Sequence, residues 1–385
     1  MDEAAEWIAL RATPGVGDVL GRRLIARFGR PADVFAASAD ALAAAGFLPA
    51  QAKRLVRRLA AARGAAATED ARRIDAYGAR LISCLDSEYP APLQQLADAP
   101  LSLIASGTQL GSRPAIAIVG SRRATPYGRD VARQLGEDLA HAGFAVVSGL
   151  ARGIDAAAHR GALRVGGVTI AVLGSGLDRV YPPEHRDLAM EITATGTLLS
   201  ERPMRALPLA PHFPARNRII AGMTVGTIVV EAAGRSGALI TARMALEAGR
   251  EVFAVPGRID SPVSAGPHAL LQDGAKLVRH VGDVLDELGP VLSAARTSAP
   301  GSTDETAHDD PLLACLAGGP VGLDRLVQES GLAPADVLAR VLDLELRGLV
   351  TQRPGQQVEL LSRTGARLPR PVDSSKGGNS PQIGG

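Results

Sequence analysis

Glycine-rich segments that also carry hydroxyl or guanidinium groups occur four times in the middle of this 385-residue sequence. Glycine lets backbone N–H groups approach a phosphate closely, and arginine can hold phosphate oxygens through two parallel hydrogen bonds. One such segment is weak evidence, because glycine often serves only to make a tight turn. Four of them, three with arginine, predict a site for an anionic ligand. They are Gly120-Ser121-Arg122-Arg123, the segment from Gly149 to Arg152-Gly153, Gly174-Ser175-Gly176, and Gly234-Arg235-Ser236-Gly237.

The elements that would position these segments are short apolar runs separated by helical patterns such as 130–142 and 238–248. Continuous apolar runs are typical of parallel strands buried on both faces, and their alternation with helices predicts an α/β fold with a Rossmann-like, doubly wound, mostly parallel sheet. Ligands bind such sheets where the carboxyl ends of the strands converge. The predicted strands are 81–84, 101–105, 115–119, 145–148, 169–173, 197–200, 227–231 and 251–255.

A fifth segment, Arg216-Asn217-Arg218, precedes an apolar run that would hold it against the sheet. Three polar side chains in a row cannot all point into a core. We expect at least one of them to reach the ligand edge. The alternative is a structural ion pair between one of these arginines and a carboxylate such as Glu231.

The charge distribution also favours an anionic partner for the middle of the chain. Residues 1–112, 113–280 and 281–385 have net charges of +1, +6 and −5.

The acidic start of the sequence does not resemble a signal peptide, and no apolar stretch is long enough to span a membrane. The two cysteines, Cys84 and Cys315, are far apart and indicate neither disulfides nor a zinc site. We therefore expect a cytoplasmic protein without metal or cofactor.

The flanking regions predict two further domains. Residues 1–75 read as helices, and the Pro14-Gly15-Val16-Gly17 turn before an arginine-rich helix resembles a helix-hairpin-helix, which grips DNA phosphates; a purely structural helical domain is the alternative. Residues 80–288 are the core, and 289–309 form a predicted flexible linker. Residues 310–361 resemble a winged helix, and 362–385 a disordered tail. With four basic and seven acidic residues, the winged-helix segment is expected to bind protein rather than duplex DNA.

Catalytic motifs are weak in this sequence, so we expect a binding protein and not an enzyme. His159 lies four residues after Asp155, but such a pair on one helical face is usually structural, and no Ser-His-Asp order or Walker-type Gly-Lys-Ser/Thr accompanies it. The alternative is a Rossmann-like nucleotide-binding or nucleotide-cleaving enzyme of the lysine-decarboxylase-like group. In that group the glutamate follows the glycines, whereas here Glu231 precedes them. Aromatic residues are few, and only Tyr127, Tyr181 and Phe213 are expected near the pocket edge, which favours phosphate contacts over base readout.

The ordered segments IAIVGSRRATPYG, GLARGIDAAAHRGAL, TIAVLGSGLDRVYPPEH, HFPARNRIIAGM and VVEAAGRSGALITARMALEAGREVFAVPG resemble the DNA-processing protein A (DprA, or Smf) family over about residues 80–280. The resemblance implies a homodimeric protein that binds and protects single-stranded DNA and loads the RecA recombinase in natural transformation. It implies that Arg122 holds a backbone phosphate and that His268, Leu270 and Leu271 pair two protomers. The sequence departs from the family pattern at Pro183 and Pro211, where relatives place lysine. The predicted DNA-binding residues are Gly120, Ser121, Arg122, Arg123, Gly149, Arg152, Gly153, Gly174, Ser175, Gly176, Arg216, Asn217 and Arg218.

Overall fold

The computed structural model of the chain describes two compact units, 1–290 and 291–385. The described residues are 2–108, 110–111 and 113–297, followed by 311–316, 319–332, 337, 340–341, 344, 350–353 and 357–360. Within these residues, no helix combines the length and the apolar character needed to cross a membrane.

The first unit begins with six helices that pack around Trp7, Leu10 and Leu24, all buried. The turn between the first two helices needs Gly15, whose φ is +81°, in the left-handed region that side chains disfavour. The helices are α1 Glu3–Ala12, α2 Asp18–Phe28, α3 Pro31–Ala36, α4 Ala39–Ala44, α5 Pro49–Ala62 and α6 Ala65–Ala76.

A nine-stranded sheet follows, with strand order β1-β2-β6-β5-β4-β3-β7-β8-β9. The strands from β3 to β9 run parallel to one another, whereas β1 pairs with β2 and β2 with β6 in the antiparallel direction. The chain therefore leaves β3 to build one half of the sheet and returns beside β3 to build the other, which is the doubly wound arrangement. The strands are β1 Arg80–Ser83, β2 Ser102–Gly107, β3 Ala115–Val119, β4 Ala145–Ser148, β5 Thr169–Leu173, β6 Thr197–Ser200, β7 Gly226–Val229, β8 Glu251–Ala254 and β9 Lys276–Leu277.

Helices connect the strands and pack on the sheet, and two pairs of them also pack against each other. The helices are α7 Ala91–Gln94, α8 Pro126–His141, α9 Ile154–Arg164, α10 Arg186–Thr195, α11 His212–Gly222, α12 Gly237–Glu247, α13 Ala265–Gln272 and α14 Val281–Thr297. α8 packs against α9, and α11 packs against α12. Because crossovers between parallel strands are right-handed, the reversal at β3 and β7 places these pairs on opposite faces. Every residue of β3, β4, β5 and β6 is accordingly buried.

The predicted fold class is confirmed, and the differences from the sequence analysis are local. Every predicted strand is present with its ends shifted by two residues at most, and the short exposed strand β9 was not predicted. The first residues of the predicted linker 289–309 are helical, because α14 continues through Gly289 and Pro290 into residues such as Leu292, Ala294 and Ala295 that favour helix. Residues 1–75 and 80–288 were predicted as separate domains, but one buried apolar cluster includes Leu24 and Leu101 and joins them in one unit.

The second unit contains helix α15 Pro311–Leu316, strand β10 Val321–Gly322, helix α16 Leu323–Ser330 and the strands β11 Val350–Arg353 and β12 Gln357–Leu360. The strands form an antiparallel sheet in the order β10-β12-β11 over a core that includes Leu312, Leu316 and Leu326. Of residues 335–347, only 337, 340, 341 and 344 are described, and they are helical. The predicted tail 362–385 lies outside the described residues.

Candidate nucleic-acid interface

A pocket lies where the carboxyl ends of β3 and β4 meet the start of α11. It lies at the edge of the sheet formed by the carboxyl ends of the parallel strands, where open α/β sheets bind their ligands. The pocket brings together residues from the first, second and fifth predicted segments. Its lining consists of Arg122, Gly149, Ala151, Arg152, Tyr181, Pro182, Phe213 and Arg216.

Arg122 projects from the turn that follows β3 and is exposed to solvent. Its guanidinium carbon lies 5.3 Å from the centre of the Phe213 ring, which orients the cation over the pocket. No ion pair to Arg122 occurs among the described residues of the chain. Its charge is therefore available to an anion.

The turn that carries Arg122 is fixed by Glu231, which follows β7. The Glu231 carbonyl accepts a hydrogen bond from the Ser121 N–H at 2.6 Å, and its carboxylate accepts the N–H and the hydroxyl of Thr125 at 2.9 and 2.5 Å. Thr125 in turn caps α8 by accepting the Gly128 N–H. Glu231 thus holds this turn. The sequence suggested it as an ion-pair partner of Arg216 or Arg218, but it pairs with neither.

The second glycine segment is shaped by Asp155 in the first turn of α9. Its carboxylate accepts the N–H groups of Gly149 and Ala151 at 3.1 and 3.3 Å. Gly153 has a φ of +78°, and a Cβ there would lie 2.2 Å from the Ser121 carbonyl oxygen, so only glycine fits between the first two segments. Arg152 is half exposed and forms an ion pair with Glu184, which would compete with a bound anion for its charge.

Arg216 forms the floor of the pocket, where 4% of the residue is exposed. Its Nη1 donates to the Gly149 carbonyl at 2.8 Å and to the Val172 carbonyl. A Cβ on Gly149 would lie 2.5 Å from this guanidinium, so this glycine makes room for Arg216. Burial lowers the pKa of Arg216 to about 10, and the Asp155 carboxylate opposes that shift. Arg216 therefore stays charged at neutral pH and adds positive potential from below.

Burial raises the pKa of the Asp155 carboxyl, while Arg216 and the N–H groups of Ala151 and Gly149 lower it. Asp155 and Arg216 both bind the backbone of Gly149. Asp155 accepts a hydrogen bond from the Gly149 N–H, and Arg216 donates one to the Gly149 carbonyl. These two buried side chains fix the backbone that lines the pocket.

Two aromatic rings form one wall of the pocket. The rings of Tyr181 and Phe213 lie 5.7 Å apart at an angle of 48°. Neither residue, nor Ala151 or Pro182, was in the predicted binding set. The available signal was that each ring adjoins proline, in Tyr181-Pro182 and Phe213-Pro214, and proline restricts the local backbone.

The third glycine segment lies beneath the pocket wall and does not line the pocket. Gly174 lies against the Phe213 ring, and Gly176 is closely packed against the backbone of Pro203 and Arg205. Ser175 is 1% exposed, and its hydroxyl donates to the Arg179 carbonyl at 2.7 Å. This segment supports the aromatic wall, and Ser175 is not available to a ligand.

Arg218 faces away from the pocket, toward the N-terminal helices. It forms ion pairs with Glu201 at 2.6 Å and Asp18 at 2.8 Å, and it also donates to the Asp98 carbonyl. Arg218 is therefore the arginine that forms a structural ion pair, and its partners are Glu201 and Asp18. Asn217 accepts from Arg216 and lies within 3.4 Å of the Gly237 carbonyl, at the fourth glycine segment.

Asp155 and His159 do not form the hydrogen-bonded pair that their spacing allowed. Asp155 binds backbone N–H groups, whereas His159 Nδ1 lies 2.7 Å from the Thr169 hydroxyl. Burial lowers the pKa of His159 to about 3, so this histidine is neutral in the folded protein. The arrangement is structural.

The residues expected to pair two protomers lie on α13, at the β8–β9 edge of the sheet. His268 Nε2 lies 3.0 Å from the Gly257 carbonyl, and Leu270 and Leu271 are half-buried. Nearby on the chain, Ile259 is 96% exposed and Leu277 on the edge strand is 45% exposed. The expected contact residues thus border exposed apolar surface.

Comparison with known proteins gives consistent matches. Residues 80–289 match the DNA recombination-mediator protein A family, and residues 295–356 match the DprA winged helix domain, which confirms the winged helix. Protein Smf of Escherichia coli is 42% identical over 284 residues, covering 71% of this chain and 76% of that protein. DNA processing protein DprA of Streptococcus pneumoniae is 48% identical over 206 residues, covering 53% of this chain and 73% of that protein.

Two solved structures are similar as well. The X-ray structure of DprA from Streptococcus pneumoniae aligns with a TM-score of 0.65 at 38% identity and covers 74% of this chain and 99% of that one. A structure of DNA processing protein A from Helicobacter pylori, described by its single-stranded DNA binding mode, aligns with a TM-score of 0.50 at 29% identity and covers 55% of this chain and 96% of that one. The chain belongs to the DNA recombination-mediator protein A family, also known as DNA-processing protein A or Smf.

Proposed function

We propose that this protein binds single-stranded DNA through the pocket at the carboxyl ends of β3 and β4. The observation that carries the proposal is Arg122, an exposed cation with no ion pair among the described residues, held against an aromatic ring above the buried charge of Arg216. The single-strand binding mode named for the Helicobacter pylori relative supports it.

The geometry suggests how a strand would bind. Arg122 can hold one phosphate bidentately, and the backbone of Gly149 and Ala151 offers a surface against which the sugar-phosphate chain would lie. Tyr181 and Phe213 offer ring faces on which an unpaired base can stack. A duplex keeps its base faces covered, so the aromatic wall favours a single strand. Recognition of this kind depends little on sequence and weakens strongly with salt.

The family membership supports a wider role, which we propose for the whole chain. The protein would act as a cytoplasmic homodimer that binds and protects incoming single strands and loads the RecA recombinase during natural transformation. Two pockets on one dimer would raise affinity through effective concentration. Sedimentation of the wild type and of Leu271→Glu would test the dimer, since a charge at the proposed contact should give monomers.

The pocket proposal is tested by fluorescence anisotropy with labelled single-stranded and duplex oligonucleotides over a salt series. Arg122→Ala should weaken single-strand binding by about ten- to a hundredfold, because a charge-assisted contact to phosphate is lost. Arg160→Ala on α9 removes an equally exposed arginine outside the pocket and should bind like the wild type. An unaffected Arg122→Ala variant, or saturable binding of mononucleotides with release of free base, would contradict the proposal and favour the nucleotide-cleaving alternative.

A further inference from the structure

A second surface, on the N-terminal helices, carries many unpaired positive charges. Helix α5 has four basic residues and no carboxylate, and α2 has three arginines with Asp18 as its one acidic residue. Six of the basic residues on these two helices are exposed, and in the described part of the chain none of them forms an ion pair. They are Arg23, Arg27, Lys53, Arg54, Arg57 and Arg58.

Two of these residues, Arg54 and Arg58, line a groove between the turn before α2 and helix α5. The Arg58 Nη1 lies 3.5 Å from the Pro14 carbonyl, and a Cβ on Gly15 would come within 2.8 Å of the same atom. Arg23 lies over the Phe47 ring at 5.9 Å. The groove is lined chiefly by Gly15, Leu20, Phe47, Arg54, Leu55 and Arg58.

Among the described residues no carboxylate lines the groove, and two carboxylates on the neighbouring helices are engaged elsewhere. Asp18 faces the sheet, where it pairs with Arg218 and accepts the Leu101 N–H. Glu6 pairs with Arg63. Arg22, which also faces the sheet, donates to the Gln94 carbonyl and does not contribute to the groove. The groove therefore presents positive charge without a compensating carboxylate of its own, and a polyanion is its complementary partner.

Apolar groups between the cations indicate which polyanion fits. Val19 is 55% exposed and Leu48 is 65% exposed, while Phe47 is half-buried with Arg23 against its ring. A duplex would place phosphates against these apolar side chains. A single strand can turn its base faces toward Phe47 and Leu48 while its phosphates reach Arg54 and Arg58, so the alternation favours a single strand.

We propose that the groove between α2 and α5 is a second binding site for single-stranded DNA, separate from the core pocket. Its phosphate contacts come from Arg54 and Arg58, and Phe47 provides the surface for a base. The inference does not require the core pocket to bind the same strand, and it can fail while the pocket proposal stands.

The test uses the full-length chain and compares the double variant Arg54→Gln/Arg58→Gln with Arg30→Gln/Arg72→Gln. The control pair removes two exposed N-terminal arginines that do not line the groove. Anisotropy with a labelled oligo-dT long enough to reach both sites should show about a tenfold loss of affinity for the groove variant only. The slope of log affinity against log salt should fall by about 1.4, because about 0.7 is expected for each phosphate contact to a single strand. Circular dichroism melting checks that both variants fold.

Phe47→Leu keeps the apolar volume and removes the ring face, so it should weaken binding with little change in the salt slope. The groove proposal is overturned if the groove and control variants bind oligo-dT alike. It is also overturned if the groove variant loses as much affinity for duplex DNA of equal length as for the single strand, since the groove would then serve a duplex. It is overturned as well if poly-glutamate of equal charge displaces the labelled strand as well as unlabelled oligo-dT does, since the groove would then serve an acidic protein. Arg122→Ala, measured alongside, reports separately on the core pocket.

Discussion

The core pocket and the N-terminal groove hold their positive charges in opposite ways. In the pocket, Arg216 is buried and bound to backbone carbonyls, and Asp155 opposes it across Gly149. In the groove, Arg54 and Arg58 lie on the exposed face of α5. A buried charge is fixed in place before a ligand arrives, whereas exposed arginines must be ordered when a ligand binds. We infer that the pocket defines the register of a bound strand and that the groove adds affinity that depends strongly on salt.

The same difference affects stability. Changes to the buried charges of the pocket should disturb folding and binding together, because these groups have no water to replace a lost partner. Changes to the groove should alter binding alone.

The largest effect is expected for Arg216→Met, which keeps much of the side-chain volume but removes the donor to the buried Gly149 and Val172 carbonyls. The free energy of unfolding should fall by about 2–5 kcal/mol, because each buried carbonyl left without its donor costs about 1–3 kcal/mol. Urea titration followed by circular dichroism measures this. Arg160→Met, an exposed counterpart, should leave stability almost unchanged, and an equal loss in both variants would contradict a special role for Arg216.

The next effect concerns pH and the buried His159. In the unfolded chain a histidine takes up its proton near its ordinary pKa of about 6.5, whereas burial lowers the pKa of His159 in the folded protein to about 3. The unfolded state therefore binds more protons between these values, and stability is lost as the pH falls below about 6.5. At pH 5 the loss from this group should be about 2 kcal/mol.

Urea unfolding at pH 7.5 and pH 5 tests the role of His159. His159→Asn removes the titrating ring and should flatten the dependence, while the same change at the exposed His141 should not. A pH dependence that survives His159→Asn would show that other groups cause it.

A smaller effect is expected for Phe213→Leu, which removes the ring face beneath Arg122 and beside Tyr181. Stacking of a base on an aromatic ring contributes about 1–3 kcal/mol, so single-strand affinity should fall about tenfold. The melting temperature should change little, because Phe213 is only partly buried. Tyr127→Leu, an exposed aromatic residue outside the pocket, provides the control in anisotropy. If both variants lost affinity equally, the wall formed by Phe213 would not be a base platform.

The smallest effect is a gain. Glu184→Gln removes the carboxylate that pairs with Arg152, and both side chains are about half exposed. Releasing Arg152 should raise single-strand affinity about two- to threefold at low salt, with the gain lost at high salt, since exposed ion pairs are weak and screened. Glu191→Gln on α10 is an exposed control. A decrease in affinity would mean that Glu184 positions Arg152 for the ligand.

Much of the sheet could be predicted from the sequence because buried parallel strands are continuous apolar runs. Residues 115–119, 145–148, 169–173 and 197–200 form strands with the predicted ends. Strand β9 was not predicted because it has only two residues, both exposed, and no hydrophobic pattern. The join between the N-terminal helices and the core depends on contacts such as Leu24 and Leu101 in one cluster, which no local pattern reveals.

The site was harder to predict, because glycine serves several purposes. Gly149 was expected at a phosphate, and it does line the pocket, but the structure shows that its missing side chain makes room for Arg216. Position 176 needs glycine because a Cβ there would clash with the backbone of Pro203 and Arg205. Likewise Arg216, Asn217 and Arg218 point in three directions from α11, and only burial shows that Arg216 reaches the pocket while Arg218 binds Glu201 and Asp18.

The central claim is that a single strand lies against the aromatic wall of the core pocket. The most direct test is photo-crosslinking of the full-length protein to an oligonucleotide that contains 5-iodouracil, followed by peptide mapping. We expect crosslinks at Tyr181 or Phe213, reduced in Arg122→Ala because the strand is no longer held there. Crosslinks that map entirely outside the pocket, with none at either ring, would contradict the claim.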